Sequence, residues 1–192
     1  MKETLKLGFI LLLVASIAAG VLAFTNTITA PIIAEQEKEG AFGAFAEIYP
    51  DADEFVAIDD GLLSDITSSY DNVVEVYEVL EGDTIVAYAF NTSSGGYGGP
   101  ITTISGFNLD GTVQGIRVTE NSETPNLGTV VADDPAFRES FEGNTTSEPL
   151  APVAAPSAEN EVLLMSGATV STNGVVTGVN AAREAFEENF NN

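Results

Sequence analysis

The sequence contains no cysteine, no histidine and no tryptophan, and only six basic residues among 192. Without cysteine there is no disulfide framework. Without cysteine or histidine there is no iron–sulfur cluster, no covalent c-type haem and no His/Cys zinc site. A lipidated cysteine cannot hold the chain to a membrane either. A carboxylate calcium site is open by residue type, but no acidic stretch has the spacing and central glycine that such a loop needs. The stretches "DADE" (Asp51 to Glu54) and "IDDG" (Ile58 to Gly61) read as solvated turns.

Charge is as one-sided as composition. There are 29 acidic residues, giving a net charge of −23. Beyond residue 34 the count is 28 acidic against 4 basic, a net of −24. Nucleic acid needs a basic footprint, which this is not. Lying flat on an anionic lipid surface is equally disfavoured. Solubility, in a salty medium, is the plain account of the surplus.

One long apolar run is present. "LGFILLLVASIAAGVLAF", Leu7 to Phe24, holds 18 residues without a charge. A hydrocarbon core takes a helix of about 20 residues, and "TNTIT" extends the run. A cleavable signal peptide is the competing reading, because "ASIAAG" has the small residues of a cleavage site; the length favours an anchor held in membrane lipid. Lys2 and Lys6 precede the run, and the next basic residues are Lys38 and Arg117. The positive-inside rule then places the N-terminus in the cytoplasm and the remainder outside the cell membrane.

After the run, Ile32, Ile33, Phe42, Phe45 and Ile48 have the spacing of one helix face, weakened by Gly40 and Gly43 and ended by Pro50. "EFVAI" is a short strand. "NVVEVYEVL" (Asn72 to Leu80) and "TIVAYAF" (Thr84 to Phe90) flank "EGD" as a hairpin. "ITTISGFN" (Ile101 to Asn108) and "TVQGIRVT" (Thr112 to Thr119) flank "LDG" as a second. "NTSSGGYGGP" between them reads as a flexible loop. "DDPAFRESFEG" (Asp133 to Gly143) reads as one short helix with Pro135 in its first turn. "NTTSEPLAPVAAPSAENE" reads as a loop. Val175, Val176, Val179, Ala182, Phe186 and Phe190 form the apolar stripe of a terminal helix. The fold class expected is α+β: an N-terminal transmembrane helix, then a mostly antiparallel sheet with packed helices. The expected division is a cytoplasmic N-terminus and transmembrane helix over 1–30, a juxtamembrane helical linker over 31–50, and an extracytoplasmic domain over 51–192.

The stretch "LLMSGATVST", 163 to 172, turns abruptly from apolar to small and hydroxylated. Its plain reading is a turn and a cap: Gly167 for the turn, Ser171 or Thr172 capping the last helix. A second reading uses the same features. A helix N-terminus offers unpaired N–H groups and a positive dipole end, which suit phosphate. Gly167 lets backbone approach a ligand and Ala168 leaves space. The hydroxyl of Thr169 stands where it can carry a phosphate as an ester.

"SGATVST" resembles the threonine-flavinylation motif of the FMN-binding domain family. The resemblance implies covalent FMN on Thr169, with Ser166, Gly167 and Ala168 as its motif neighbours. "NSETPNLGTVV" resembles the family's E-T-P-G-L-G segment, which implies cofactor-binding roles for Glu123, Thr124, Leu127 and Gly128. Asn126 replaces the family glycine; Asn is the non-glycine residue most tolerant of positive φ, so the turn is expected to survive. "TNTITAPIIAEQ" and "GGYGGPI" resemble segments of one subfamily, the G subunits of Rnf electron-transport complexes. The family carries an acidic residue three positions before the motif serine. Here that position is Leu163, with Glu159 and Glu161 near but out of register.

What the resemblance implies is a membrane-anchored electron-transfer subunit without a complete active site of its own. It would serve a Rnf-type ferredoxin:NAD oxidoreductase coupled to Na⁺ or H⁺ translocation. Its partners would be the other membrane and peripheral subunits, with a flavin transferase needed for maturation. The alternatives are the C subunit of the Na⁺-translocating NADH:quinone oxidoreductase and a non-catalytic acidic surface domain. The chain has no nucleotide fingerprint and no metal site is expected.

Overall fold

The computed structural model describes residues 2–191 and divides the chain into two units, residues 1–40 and 41–192. Helix α1 covers Lys2–Ile48 and contributes to both. In the first unit, Lys6–Ala30 is a 25-residue segment of mean hydropathy 2.6, with none of its most apolar stretch buried by protein. It is long and apolar enough to cross a membrane. The threonines of "TNTIT" suit that setting, since each hydroxyl donates to a carbonyl about one turn back: Thr25 to Val21 at 2.9 Å, Thr27 to Phe24 at 2.7 Å, Thr29 to Thr25 at 3.1 Å. Hydroxyls satisfied within their own helix carry a smaller penalty in lipid. The Ile32 side chain lies outside the described residues, and Ile33 is exposed.

The second unit is a sheet between helices. Its strands are β1 (Glu54–Ala57), β2 (Val73–Glu81), β3 (Thr84–Gly95), β4 (Pro100–Asn108) and β5 (Val113–Glu120). They pair in sequence order, every neighbour antiparallel. The β2–β3 hairpin closes on Gly82 and Asp83, with Gly82 at φ 62°. On one face the end of α1 packs Phe45 between Phe55 and Tyr77, at ring-centroid distances of 5.2 and 4.9 Å. Ile48 and Tyr49 are buried there with Val79, Ala87, Ala89 and Ile104, while Phe42 stays partly exposed. On the other face α5 (Thr169–Asn189) buries Val175, Val176, Val179, Ala182 and Phe186 over Phe90, Ile101 and Phe107. The terminal apolar stripe and the α+β class therefore stand as expected.

Four local expectations change. "IDDG" is no turn: the Asp59 carboxylate accepts from the N–H groups of Gly61 and Leu62, at 2.9 and 3.3 Å, and starts α2 (Asp60–Ser69). "NTSSGGYGGP" is mostly strand, with only residues 96–99 outside β3 and β4, because the Thr92 and Ser94 hydroxyls are buried and donate to Thr103 O at 3.1 Å and Gly174 O at 2.7 Å. The helix expected over 133–143 is two, α3 (Val130–Asp133) and α4 (Pro135–Glu139), since Asp134 caps the second and Pro135 has no N–H to continue the first. The loop over 144–161 contains β6 (Ala151–Val153), which pairs in parallel with β7 (Glu161–Leu163). Asn160, at φ 61°, holds it by accepting from Thr145 N–H at 2.9 Å and donating to Glu148 O at 2.6 Å.

Candidate functional site

Helix α5 begins without a side-chain cap. Ala168 is its N-cap residue, and neither Ser171 nor Thr172 caps it. The Ser171 hydroxyl instead donates to Glu123 Oε2 at 2.7 Å, and Thr172 Oγ1 accepts from Met165 N–H at 3.2 Å. Thr169 is the first helical residue and is exposed. The helical ladder starts at Thr172 N–H, which donates to Ala168 O at 2.9 Å. The N–H groups of Thr169, Val170 and Ser171 precede it and point out from the positive end of the helix. Gly167 has φ 80°, and a Cβ there would stand 3.2 Å from Leu127 Cδ1, so the turn needs a glycine.

The "ETPNLG" segment packs beside that helix start. Thr124 O accepts from the N–H groups of Leu127 and Gly128, at 3.1 and 2.9 Å. Asn126 takes φ 59°, the left-handed conformation its replacement of glycine required, and its N–H donates to Thr129 Oγ1 at 3.1 Å. Glu123 is buried, and its Oε1 accepts from Gly98 N–H at 3.0 Å. A Cβ at Gly96 or at Gly128 would run into this carboxylate. The family's acidic position is filled differently. Leu163 lies in β7, where its N–H donates to the Ser140 hydroxyl at 3.0 Å and its side chain packs on the core. Glu161 is occupied locally: N–H donation from Ser157 and Ala158, at 2.8 and 3.0 Å, holds its carboxyl below the usual carboxylate range.

A cavity of about 390 Å³ opens here, within the size range of small-molecule sites. Glu123, Thr124, Leu127, Gly128, Gly167, Ala168 and Thr169 all line it; Ser166 is exposed and does not. Tyr97, Val170 and Ser171 complete the lining, and sequence reasoning did not single out Tyr97. Its signal was an aromatic between two glycine pairs, whose relation to Thr169 only the fold reveals. Among the described residues no lysine or arginine lines the cavity. Among the described residues no group of three acidic side chains is placed to hold a metal ion. Apolar walls, free backbone donors and the exposed hydroxyls of Tyr97, Thr124 and Thr169 are what the cavity offers a ligand.

Residues 96–184 match the family model of the FMN-binding domain, and residues 1–48 match that of the RnfG N-terminal region. The chain is 29% identical to the G subunit of the Na⁺-translocating ferredoxin:NAD⁺ oxidoreductase complex of Acetobacterium woodii, over 97% of this chain and 93% of that one. It is 29% identical to the G subunit of the ion-translocating oxidoreductase complex of Methanosarcina acetivorans, over 94% and 93%. The crystal structure of Shewanella oneidensis NqrC superposes with a TM-score of 0.52 at 22% identity, covering 59% of this chain and 57% of that one, which establishes a shared fold.

Proposed function

We propose that this chain, carrying an RnfG N-terminal region and an FMN-binding domain, is the G subunit of a Rnf-type ferredoxin:NAD oxidoreductase coupled to Na⁺ or H⁺ translocation. In this reading α1 anchors it with the N-terminus in the cytoplasm and the domain outside, beside the other subunits of the complex. FMN is held through a phosphoester to Thr169. The fold shared with NqrC leaves the quinone-reductase subunit as the rival; the relatives that match along nearly the whole chain favour Rnf.

The observation that carries the covalent reading is the cavity without a cation. A reversibly bound phosphate dianion is ordinarily met by Arg or Lys as well as by backbone N–H groups. Here the donors are the N–H groups at the start of α5, and the domain around them carries net negative charge. An ester to the exposed Thr169 hydroxyl removes one phosphate charge and makes retention independent of ion pairing. The rest of the site fits a flavin: Leu127 and Val170 offer partly exposed apolar surface, Tyr97 an aromatic one, and Gly167 a close backbone approach.

When bound, the isoalloxazine supplies the redox chemistry of a chain with no thiol, imidazole or metal cluster of its own. The chain's part is placement. A threonine hydroxyl is a weak nucleophile unless activated, so a flavin transferase must supply a pyrophosphate-linked flavin donor. Thr169 Oγ1 loses its proton as the new P–O bond forms, and the donor's nucleoside monophosphate departs. The deciding experiment is coexpression with such a transferase, followed by denaturation and peptide mass spectrometry. FMN on the peptide containing Thr169 is the expected result. Protein that never retains flavin after denaturation removes the covalent reading.

A further inference from the structure

The tip that joins β3 to β4 has the composition of a mobile loop and the contacts of a fixed one. Gly96 N–H donates to Gly99 O at 2.8 Å, closing the tip on itself. Gly98 N–H is held by Glu123 at 3.0 Å. A Cβ on Gly98 would run into the Ser122 carbonyl, and one on Gly174 of α5 would stand 2.6 Å from Gly95 O. The backbone on both sides of Tyr97 is therefore clamped, to the "ETPNLG" segment on one side and to α5 on the other.

The side chain on this clamped backbone has nothing to do in the fold. Tyr97 is 76% exposed, more than any other large hydrophobic among the described residues, the apolar stretch of α1 included. Among the described residues its ring meets no other ring and its hydroxyl has no hydrogen-bond partner. It is nevertheless the one aromatic residue lining the cavity that contains Thr169. An aromatic presented on a fixed backbone, at the wall of a cavity and in contact with no ring of its own protein, is placed to stack on a flat ligand.

We propose that Tyr97 covers the ring of the bound flavin and that Glu123 is the positioning residue that holds it there; this rests on the flavin reading above. Glu123 acts through both its oxygens, taking Gly98 N–H on one and the Ser171 hydroxyl on the other. It thereby fixes the tip against the first turn of α5, the turn that carries Thr169. Glutamine can keep this bridge, with its carbonyl accepting from Gly98 and its amide donating to Ser171 Oγ. Alanine cannot.

A stacked phenol donates an electron to an excited flavin and quenches its fluorescence, so the arrangement has a readout apart from turnover. The full-length chain is coexpressed with a flavin transferase, solubilised, and its fluorescence measured per covalently bound FMN. Tyr97→Ala is expected to raise that fluorescence several-fold, and Tyr97→Trp to keep it quenched. Glu123→Ala is expected to raise it with Tyr97 intact, and to speed amide exchange across residues 95–99; Glu123→Gln is expected to stay near the unmodified chain in both. Equal fluorescence for Tyr97→Ala and the unmodified chain, at equal flavin load, overturns the role of Tyr97. A rise in Tyr97→Ala without one in Glu123→Ala overturns the role of Glu123. An unmodified chain that carries no flavin at all overturns the underlying reading, and this proposal with it.

Discussion

Gly174 of α5 lies against the carbonyl oxygen of Gly95 in β3 so closely that a Cβ would stand 2.6 Å from it. One turn later the contact repeats: a Cβ on Gly178 would be 2.8 Å from the hydroxyl oxygens of Ser94 and Thr92. The helix carrying Thr169 is thereby seated directly on the strand that leads to Tyr97. Alanine at position 174 would gain up to about 1 kcal/mol of helix propensity. Against that, overpacking on backbone that cannot rotate away costs about 1–3 kcal/mol. Gly174→Ala is therefore expected to lower the thermal midpoint of the solubilised chain. A raised midpoint would mean the helix rides higher on the sheet than described.

Attachment is tested at single hydroxyls. Thr169→Ala should abolish flavin that survives denaturation, whereas Ser171→Ala and Thr172→Ala should retain it. The two control hydroxyls are buried and engaged with Glu123 and Met165, while that of Thr169 is exposed. Mass spectrometry placing FMN on any other residue contradicts the assignment.

The flavin reading also predicts an electrostatic contrast. Glu123 lines the cavity, and a carboxylate there disfavours a gain of negative charge. Glu123→Gln should raise the midpoint potential of the bound flavin. Glu188 lies 19 residues along α5 from Thr169, about 28 Å at the helical rise, and screening acts over about 8 Å at physiological salt. Glu188→Gln should leave the potential almost unchanged. Equal shifts in a redox titration would put the flavin somewhere else.

Glu161 gives the fold a pH dependence of known sign. Its pKa is lowered in the folded chain, first by Ser157 N–H and then by Ala158 N–H. A lowered folded pKa contributes stability above the unfolded pKa and loses it as pH falls through the folded value. The thermal midpoints of the unmodified chain and Glu161→Ala should differ at neutral pH and converge below the usual carboxylate range. A gap that persists undiminished in acid would assign the effect to packing instead.

The orientation proposed above rests on Lys2 and Lys6 ahead of the apolar segment. Protease added to intact cells, with any outer membrane removed, should digest the domain. Complete protection until lysis would reverse the topology, and release of the intact domain into the medium would favour a cleaved signal peptide.

The hairpins were legible because alternation of period two and a glycine turn are local signals, and "VYEVLEGDTIVAY" contains both. The terminal helix was legible from its valine and phenylalanine spacing. Other elements were hidden for a common physical reason: their hydrogen-bond partners lie elsewhere in the chain. Thr92 and Ser94 look like loop residues until Thr103 and Gly174 are brought to them. The three-residue strand β6 is too short for any pattern and depends on Asn160 bonding to Thr145 and Glu148. Helix α2 was missed because "DDG" looks like a turn, although Asp59 in fact caps a helix. At the site, the motif segments could be read one by one. Their meeting in one cavity with Tyr97 could not, because residues 97, 123 and 169 share no local pattern.

The cavity walls come from stretches around residues 97, 123–128 and 167–171, and the last of these opens the final helix. Until α5 settles on β3, the "ETPNLG" turn stands beside an uncovered face of the sheet, and Thr169 is one hydroxyl among many. The site is therefore complete only once α5 has settled on β3. A molecule truncated or misfolded anywhere upstream has no such cavity to offer, so the capacity of a preparation to take up ligand here counts the molecules that reached the native state.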